Sequence, residues 1–323
     1  MKIGITGARG FLGTAVAAEA ANRGWEVVAF SRNADKPIEG VVEVRSLADT
    51  EAIDVSELDA IIHLAGEPIV GFWNREKKRQ ILESRTDLTS DLVDSIARVS
   101  RSRRPEGLIS VSAIGYYGNR GDEWLDEEAD VGFGFLPLVC REWEAASQSA
   151  GKLGVRLVNP RMGLVLGKGG FLKRVRPVFK LGLGGKLGSG NQWMSWIHVT
   201  DAARILLECA ENQGIRGRVN CVSPNPVRNR EFTSIYAGVL GRIALLPVPA
   251  FVLKRLPGGM GQLFLDSQRV VPAVMKAFGF EWRFEELREA LREVEGGKVS
   301  KGDSENGRSA SESALSPDAE DGK

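Results

Sequence analysis

The stretch ITGARGFLG, residues 5–13, constrains the fold more than any other, because it sets Gly7, Gly10 and Gly13 between an apolar run and an amphipathic one. In such a G-x-x-G-x-x-G run the first glycine permits a tight turn, the second lets backbone approach a pyrophosphate, and the third lets helix pack closely on strand. The helix N-terminus behind the turn presents unpaired N–H groups and the positive end of its dipole to phosphate. A glycine pattern alone is a weak signal. Following KIGIT (2–6) and preceding a helix-like stretch over 11–23, this one predicts a dinucleotide-binding β-α-β unit, the rival being a turn kept only for packing.

The rest of the first half supports that unit. EVVAF (26–30), VVEVR (41–45), AIIHLA (60–65), GLISVSA (107–113) and VRLVNP (155–160) are short apolar runs, with helix-like segments at 74–99 and 136–150. Strands alternating with helices imply a parallel, doubly wound α/β sheet of the Rossmann type, since parallel strands need long crossovers. Near-continuous apolar character fits strands covered on both faces. The expected division is a nucleotide-binding domain over 1–160 with 199–225, a smaller, mostly helical substrate-side region over 161–198 with 226–296, and a disordered polar tail over 297–323.

Charge and cysteine content exclude several function classes. Among 323 residues, 43 Lys and Arg nearly balance 42 Asp and Glu, so no global field favours nucleic acid or an anionic membrane. The basic run RVSRSRR (98–104) lacks interleaved aromatics and closes a helix, where cations complement the dipole. Nothing approaches the ~20 apolar residues of a membrane span. Three scattered cysteines, Cys140, Cys209 and Cys221, support neither a disulfide framework nor a metal site, and fit a reducing, cytoplasmic setting. The expected partner is a small-molecule substrate, with a homo-oligomer left open.

The end of the second strand selects the cofactor. An NAD site places Asp or Glu there for the ribose 2′-OH, whereas this chain has Ser31 and Arg32, with Arg9 in the turn as a second cation. Guanidinium groups suit a 2′-phosphate, so NADP is expected, although Arg32 and Asp35 also read as ordinary loop charges. The residues expected around it are Thr6, Gly7, Arg9, Gly10, Phe11, Leu12 and Gly13, Ser31 and Arg32, and Leu64, Ala65 and Gly66.

GITGARGFLG, DAIIHLAGEP (59–68), ISVSAIGYYG (109–118), VRLVNPRMGLVLG (155–167) and WIHVTDAA (196–203) together resemble the extended short-chain dehydrogenases/reductases, which include nucleotide-sugar epimerases. ILESR, CREWE, WMSWIHV and the distal DSQRVVPAVMKAFGFEWRFEELREAL (266–291) resemble an atypical epimerase-like branch with a distinctive C-terminal domain. The resemblance implies the Rossmann fold and NADP. In working members of that family a Tyr transfers the substrate proton, a Lys four residues on lowers its pKa and holds the nicotinamide ribose, and a Ser orients the substrate oxygen. A free phenol has a pKa of ~10 and needs a neighbouring cation to act near neutrality.

This chain departs from that pattern. Glu144 of CREWE sets Leu136 at the Tyr position and Cys140 at the Lys position, and SAIGYYG sets Ala113 at the usual Ser. Tyrosines occur only at 116, 117 and 236, so no shifted Tyr-x-x-x-Lys exists on that helix. Relocated catalysis has three candidates: Ser112, Tyr116 and Glu67, all expected at the C-terminal edge of the sheet. Tyr117 reads as structural, as do His63 and His198. Arg161 either clamps an anion or pairs with a local carboxylate, and Trp193 and Trp196 either stack on a substrate or cover core. Three readings follow: an NADP-dependent oxidoreductase acting on a carbonyl or alcohol, a non-catalytic NADP(H) sensor or scaffold, and a nucleotide-sugar epimerase.

Overall fold

A computed structural model of the chain describes residues 1–33, 36–47 and 53–297. Asp35 and, apart from residue 297, the expected polar tail lie outside the described residues.

The apolar runs form one parallel sheet. Its strands are β1 (Lys2–Thr6), β2 (Glu26–Ser31), β3 (Glu43–Ser46), β4 (Ala60–His63), β5 (Gly107–Ser110), β6 (Ser112–Ala113), β7 (Arg156–Met162) and β8 (Gly217–Cys221). The order is β8-β7-β5-β4-β1-β2-β3, with β6 also pairing with β7. Chain order therefore reverses between β1 and β4, and ligands of open α/β sheets bind in the crevice beyond the strand ends at such a point.

Both faces of the sheet are covered. Ile3, Ile5, Val27, Ala29 and Ile62 pack with Val16, Ala17 and Ala20 of α1 (Phe11–Asn22) and with Ile205 and Leu206 of the helix Val199–Glu211. Val28, Phe30, Ile61 and Leu108 pack on the other side with Leu92, Val93 and Ile96 of α2 (Arg75–Arg98). Alternate residues of β2 thus serve opposite cores, which removes the polar face that would break an apolar run. The side chain of Asn74 caps α2 by accepting from the Lys77 N–H, which leaves the helix start fixed. Beside α2 lies α3 (Phe135–Ser147).

β7 continues to Met162, two residues past the boundary drawn at 160. Beyond it, Leu172 and Phe179 of the helix Gly170–Lys180 cluster with Trp196, with Phe232 and Tyr236 of Asn229–Val239, and with Leu287 and Leu291 of Leu287–Val294. A two-stranded pairing within this mass sets Trp193–Met194 antiparallel to Val227–Arg228, and another ties it to the rest, Arg269–Val270 running parallel to Trp124–Leu125. Among the described residues, no helix is long and apolar enough to cross a membrane, and no cluster of His, Cys, Asp and Glu could hold a metal ion.

Candidate nucleotide crevice and its neighbouring helix

The turn between β1 and α1 leaves space where a ligand would lie. Gly7 has φ +70°, and a methyl there would come within 3.1 Å of the Ala65 nitrogen on the facing loop. At Gly13 a methyl would lie 2.2 Å from the Gly7 carbonyl oxygen, so helix and strand can meet only over hydrogen. Gly10, the N-cap of α1, has no side chain to cap the helix, and its first turn carries no acid. The N–H groups of Phe11, Leu12 and Gly13 are therefore free for an anion, and the turn fits a pyrophosphate.

The flanking residues divide into those that hold the turn and those that remain available. The Thr6 hydroxyl is buried and fully used: it bonds Nδ1 of His63 at 2.7 Å and accepts from the N–H groups of Leu64 and Ala65. The Thr6 hydroxyl, with both lone pairs taken, fastens loop 64–66 to β1. Burial lowers the pKa of His63 to about 4, with the nearby Arg85 guanidinium adding to the shift, so it stays neutral between Thr6 and Thr89. Arg9 is also engaged. Its guanidinium donates to Ser31 Oγ at 3.2 Å and to the carbonyls of Asn33, Lys36 and Pro37, drawing the loop after β2 onto the turn. Arg32 is exposed at the same strand end and makes no hydrogen bond or ion pair among the described residues.

The three expected catalytic side chains are not equivalent. Ser112 is buried, and its hydroxyl, beside the Cys140 thiol, lacks an aligned hydrogen-bond partner. Glu67 is half-exposed, and its carboxylate accepts from Lys77 Nζ at 2.6 Å. Tyr116, expected to reach a substrate, lies in the core, 7% exposed, with the Arg161 guanidinium 3.4 Å from its ring centroid. A ring face covered by a cation is a packing element, so proton transfer from Tyr116 loses its geometric basis.

At the positions of the missing pair, Leu136 packs against Trp73, Ile81 and Val139. Burial pushes the Cys140 thiol up to about 11, so it carries no charge near neutrality. Farther along α3, Glu144 accepts from Arg161 Nε and Nη2, both at 2.9 Å. Of the two roles open to Arg161, clamping an anion or pairing with a carboxylate, the structure has the second. Burial opposes the Arg161 charge, yet the bidentate Glu144 contact holds its pKa above the ordinary value. The Tyr117 hydroxyl accepts from Arg161 and donates to Asn220 Oδ1, while burial pushes its pKa up to about 12.

In the region beyond β7, Trp196 is core, its indole N–H donating to the Asn225 carbonyl. Trp193 is only half-buried, and its indole donates to Asp122 between the guanidinium groups of Arg228 and Arg269. His198 accepts from the Thr200 N–H through Nδ1, and its Nε2 bonds Glu293, which makes it a cap and a tie to the C-terminal helix. Arg104, from the basic run, donates to the carbonyls of Ala97, Val99 and Leu153, closing α2.

Two residues went unassigned in the sequence. Arg85, inside the ILESR stretch, brings its guanidinium to 5.0 Å from the Trp143 ring centroid beside loop 64–66. Asp266 is half-buried, and burial alone raises its carboxyl to about 6. Neither has a local signal: Arg85 is set apart by Glu67 and Trp143 from other elements, and Asp266 by burial alone.

Residues 3–221 match the model of the NAD dependent epimerase/dehydratase family, and residues 248–294 match a domain of unknown function (DUF1731). The chain is 37% identical over 301 residues to the Arabidopsis thaliana protein called epimerase family protein SDR39U1 homolog, chloroplastic, covering 91% of this chain and 86% of that one. The crystal structure of human epimerase family protein SDR39U1 (isoform 2) with NADPH superposes with a TM-score of 0.85 at 32% identity, over 92% of this chain and all of that one. A nucleoside-diphosphate sugar epimerase from Corynebacterium glutamicum gives a TM-score of 0.76 at 31% identity, over 96% of this chain and 61% of that one.

Proposed function

The chain belongs to the NAD dependent epimerase/dehydratase family, and from that premise we infer that it binds NADP(H) in the crevice above β1 and β4 and acts as an oxidoreductase on a small carbonyl or alcohol. The observation that carries this reading is the uncapped start of α1 behind a turn that excludes side chains, in a chain similar to a human protein crystallised with NADPH. The free N–H groups of residues 11–13 bind the pyrophosphate, and exposed Arg32 meets the 2′-phosphate. Ser31, Leu64, Ala65 and Gly66 line the crevice, while Thr6 and Arg9 hold its walls.

The cofactor, when bound, supplies or accepts the hydride. Proton handling falls to Glu67, whose carboxylate shares a proton-bearing contact with Lys77. Ser112 contributes an uncommitted hydroxyl for a substrate oxygen. The region 161–198 with 226–296 closes over this edge as the substrate side, with Trp193 and Asp266 as its polar and aromatic contributions. An epimerase reaction on the same site needs the acid/base pair that Leu136 and Cys140 do not provide.

A second reading, a non-catalytic NADP(H) sensor, draws on the neutral Cys140 and the packed Tyr116. NADPH oxidation across a broad panel of aldehydes and ketones separates the two. The oxidoreductase reading expects turnover that falls at least ~10-fold in Glu67→Gln, within the usual contribution of a general acid or base. Tight NADPH binding with no turnover on any carbonyl favours the sensor.

A further inference from the structure

Arg85 is a cation that no carboxylate pairs with among the described residues. Its Nη1 donates to the carbonyls of Glu67 at 3.1 Å and Ile81 at 2.9 Å and lies 3.5 Å from Ser84 Oγ. Its Nε and Nη2 donate to nothing among the described residues. Glu67, whose charge reaches it, is taken by Lys77. Burial holds the Arg85 pKa below its ordinary value, yet a guanidinium starts so far above neutrality that it stays charged. A half-desolvated cation without a counter-ion calls for oxygen lone pairs from outside the chain.

Its position says which oxygens. A methyl group on Gly66 would stand 3.1 Å from Arg85 Cζ and 3.3 Å from Nη2, so the free edge of the guanidinium borders loop 64–66. The other neighbours are the Trp143 ring and, within electrostatic reach, His63 at the end of β4 and Cys140 on α3. With the pyrophosphate over the β1–α1 turn and the adenosine half toward Arg32 at the end of β2, the strand order β2-β1-β4-β5 sends the nicotinamide half toward β4 and β5.

We propose that Arg85 binds the nicotinamide-ribose half of NADP(H), its Nε and Nη2 donating to ribose oxygens, and so places on α2 the cation that position 140 lacks. This rests on the NADP(H) reading above. It also accounts for the neutral side chain at 140, since a second cation there would face Arg85 across a water-poor space.

The test titrates the full-length protein and its Arg85→Met variant, which keeps an apolar stem over Trp143, with NADPH and with adenosine 2′,5′-bisphosphate, which lacks the nicotinamide half. The expected result is a loss of ~10–100-fold in NADPH affinity, the range of charge-assisted hydrogen bonds, with unchanged affinity for the bisphosphate. Equal NADPH affinity in both proteins overturns the proposal while leaving the NADP(H) reading standing. Equal weakening of both ligands also overturns it, because Arg85 is then a structural group. Failure of the intact protein to bind either ligand overturns the NADP(H) reading and this proposal together.

Discussion

The corner where β1 meets α1 and the corner where α3 meets β7 flank the same crevice edge, and they are built on opposite plans. The first works by omission: Gly7, Gly10 and Gly13 supply backbone and empty space, and no side chain caps the helix. The second works by filling: Leu136 joins an apolar cluster, while Arg161, Glu144, Tyr117 and Asn220 close a buried polar network with matched donors and acceptors. In a helix that resembles a catalytic one, this filling removes what reactivity needs, namely an uncommitted polar group beside a ligand. The first corner should therefore fail by gaining atoms, and the second by losing charge.

The sharpest test of the second plan is Glu144→Gln. Arg161 is fully buried, and the amide removes the countercharge, keeps one acceptor oxygen and turns an NH2 donor toward the other guanidinium N–H, leaving a buried cation with only neutral partners. Removing one partner of a buried pair costs ~3–5 kcal/mol, whereas replacing both with apolar groups is near neutral. Urea unfolding should report a loss of that size for Glu144→Gln and a much smaller one for Arg161→Met with Glu144→Leu. A loss below ~1 kcal/mol in the single variant would mean that Tyr116 and Tyr117 already relieve the charge, and the contrast between the corners would collapse.

The first plan makes a paired prediction. Gly13→Ala sets a methyl 2.2 Å from a backbone carbonyl oxygen, which cannot step aside as a flexible side chain would. Its cost should reach the top of the ~1–3 kcal/mol usual for overpacking. Gly10→Ala meets nothing nearer than 3.1 Å, so it should cost less than ~1 kcal/mol in stability. It should nonetheless weaken NADPH binding, because the added methyl stands where the pyrophosphate approaches. Thermal unfolding and NADPH titration of the two variants check this. An unchanged NADPH affinity in Gly10→Ala would mean that the turn serves packing alone.

The two corners also differ in how far the sequence reveals them. The glycine turn, the strands and the three helices around the crevice are legible because each depends on neighbours within a few residues: a φ, a period, a cap. The absence at 136 and 140 is legible too, since it needs only a count of tyrosines. The sequence alone leaves Arg161 two roles because its partner, Glu144, lies on another element. Arg85 gave no signal at all, because an unpaired cation is defined by what surrounds it in space. The setting of Tyr116 is hidden for the same reason: proximity to a strand end says nothing about the guanidinium that covers its ring.

A smaller effect probes the seam beneath the first corner. His63 is fully buried, its ring bonded to the hydroxyls of Thr6 and Thr89, and its pKa is lowered to about 4 from 6.5. The unfolded chain then binds the proton more tightly than the folded one, so stability is complete above pH ~6.5 and drains away as pH falls toward ~4. For one such group the loss between pH 7 and pH 5 comes to ~2 kcal/mol. Other buried acids titrate with the opposite sign, since burial raises Glu127, so the whole-protein slope alone is ambiguous. The difference between the protein and His63→Gln isolates the histidine. It should shrink by ~2 kcal/mol across that range, measured by urea unfolding at both pH values. Because Thr6 uses the same hydroxyl to hold the N–H groups of Leu64 and Ala65, NADPH affinity should fall over the same interval and fall less in the variant. A pH-independent difference would mean that His63 is already solvated, and that the rigidity of loop 64–66 has another source.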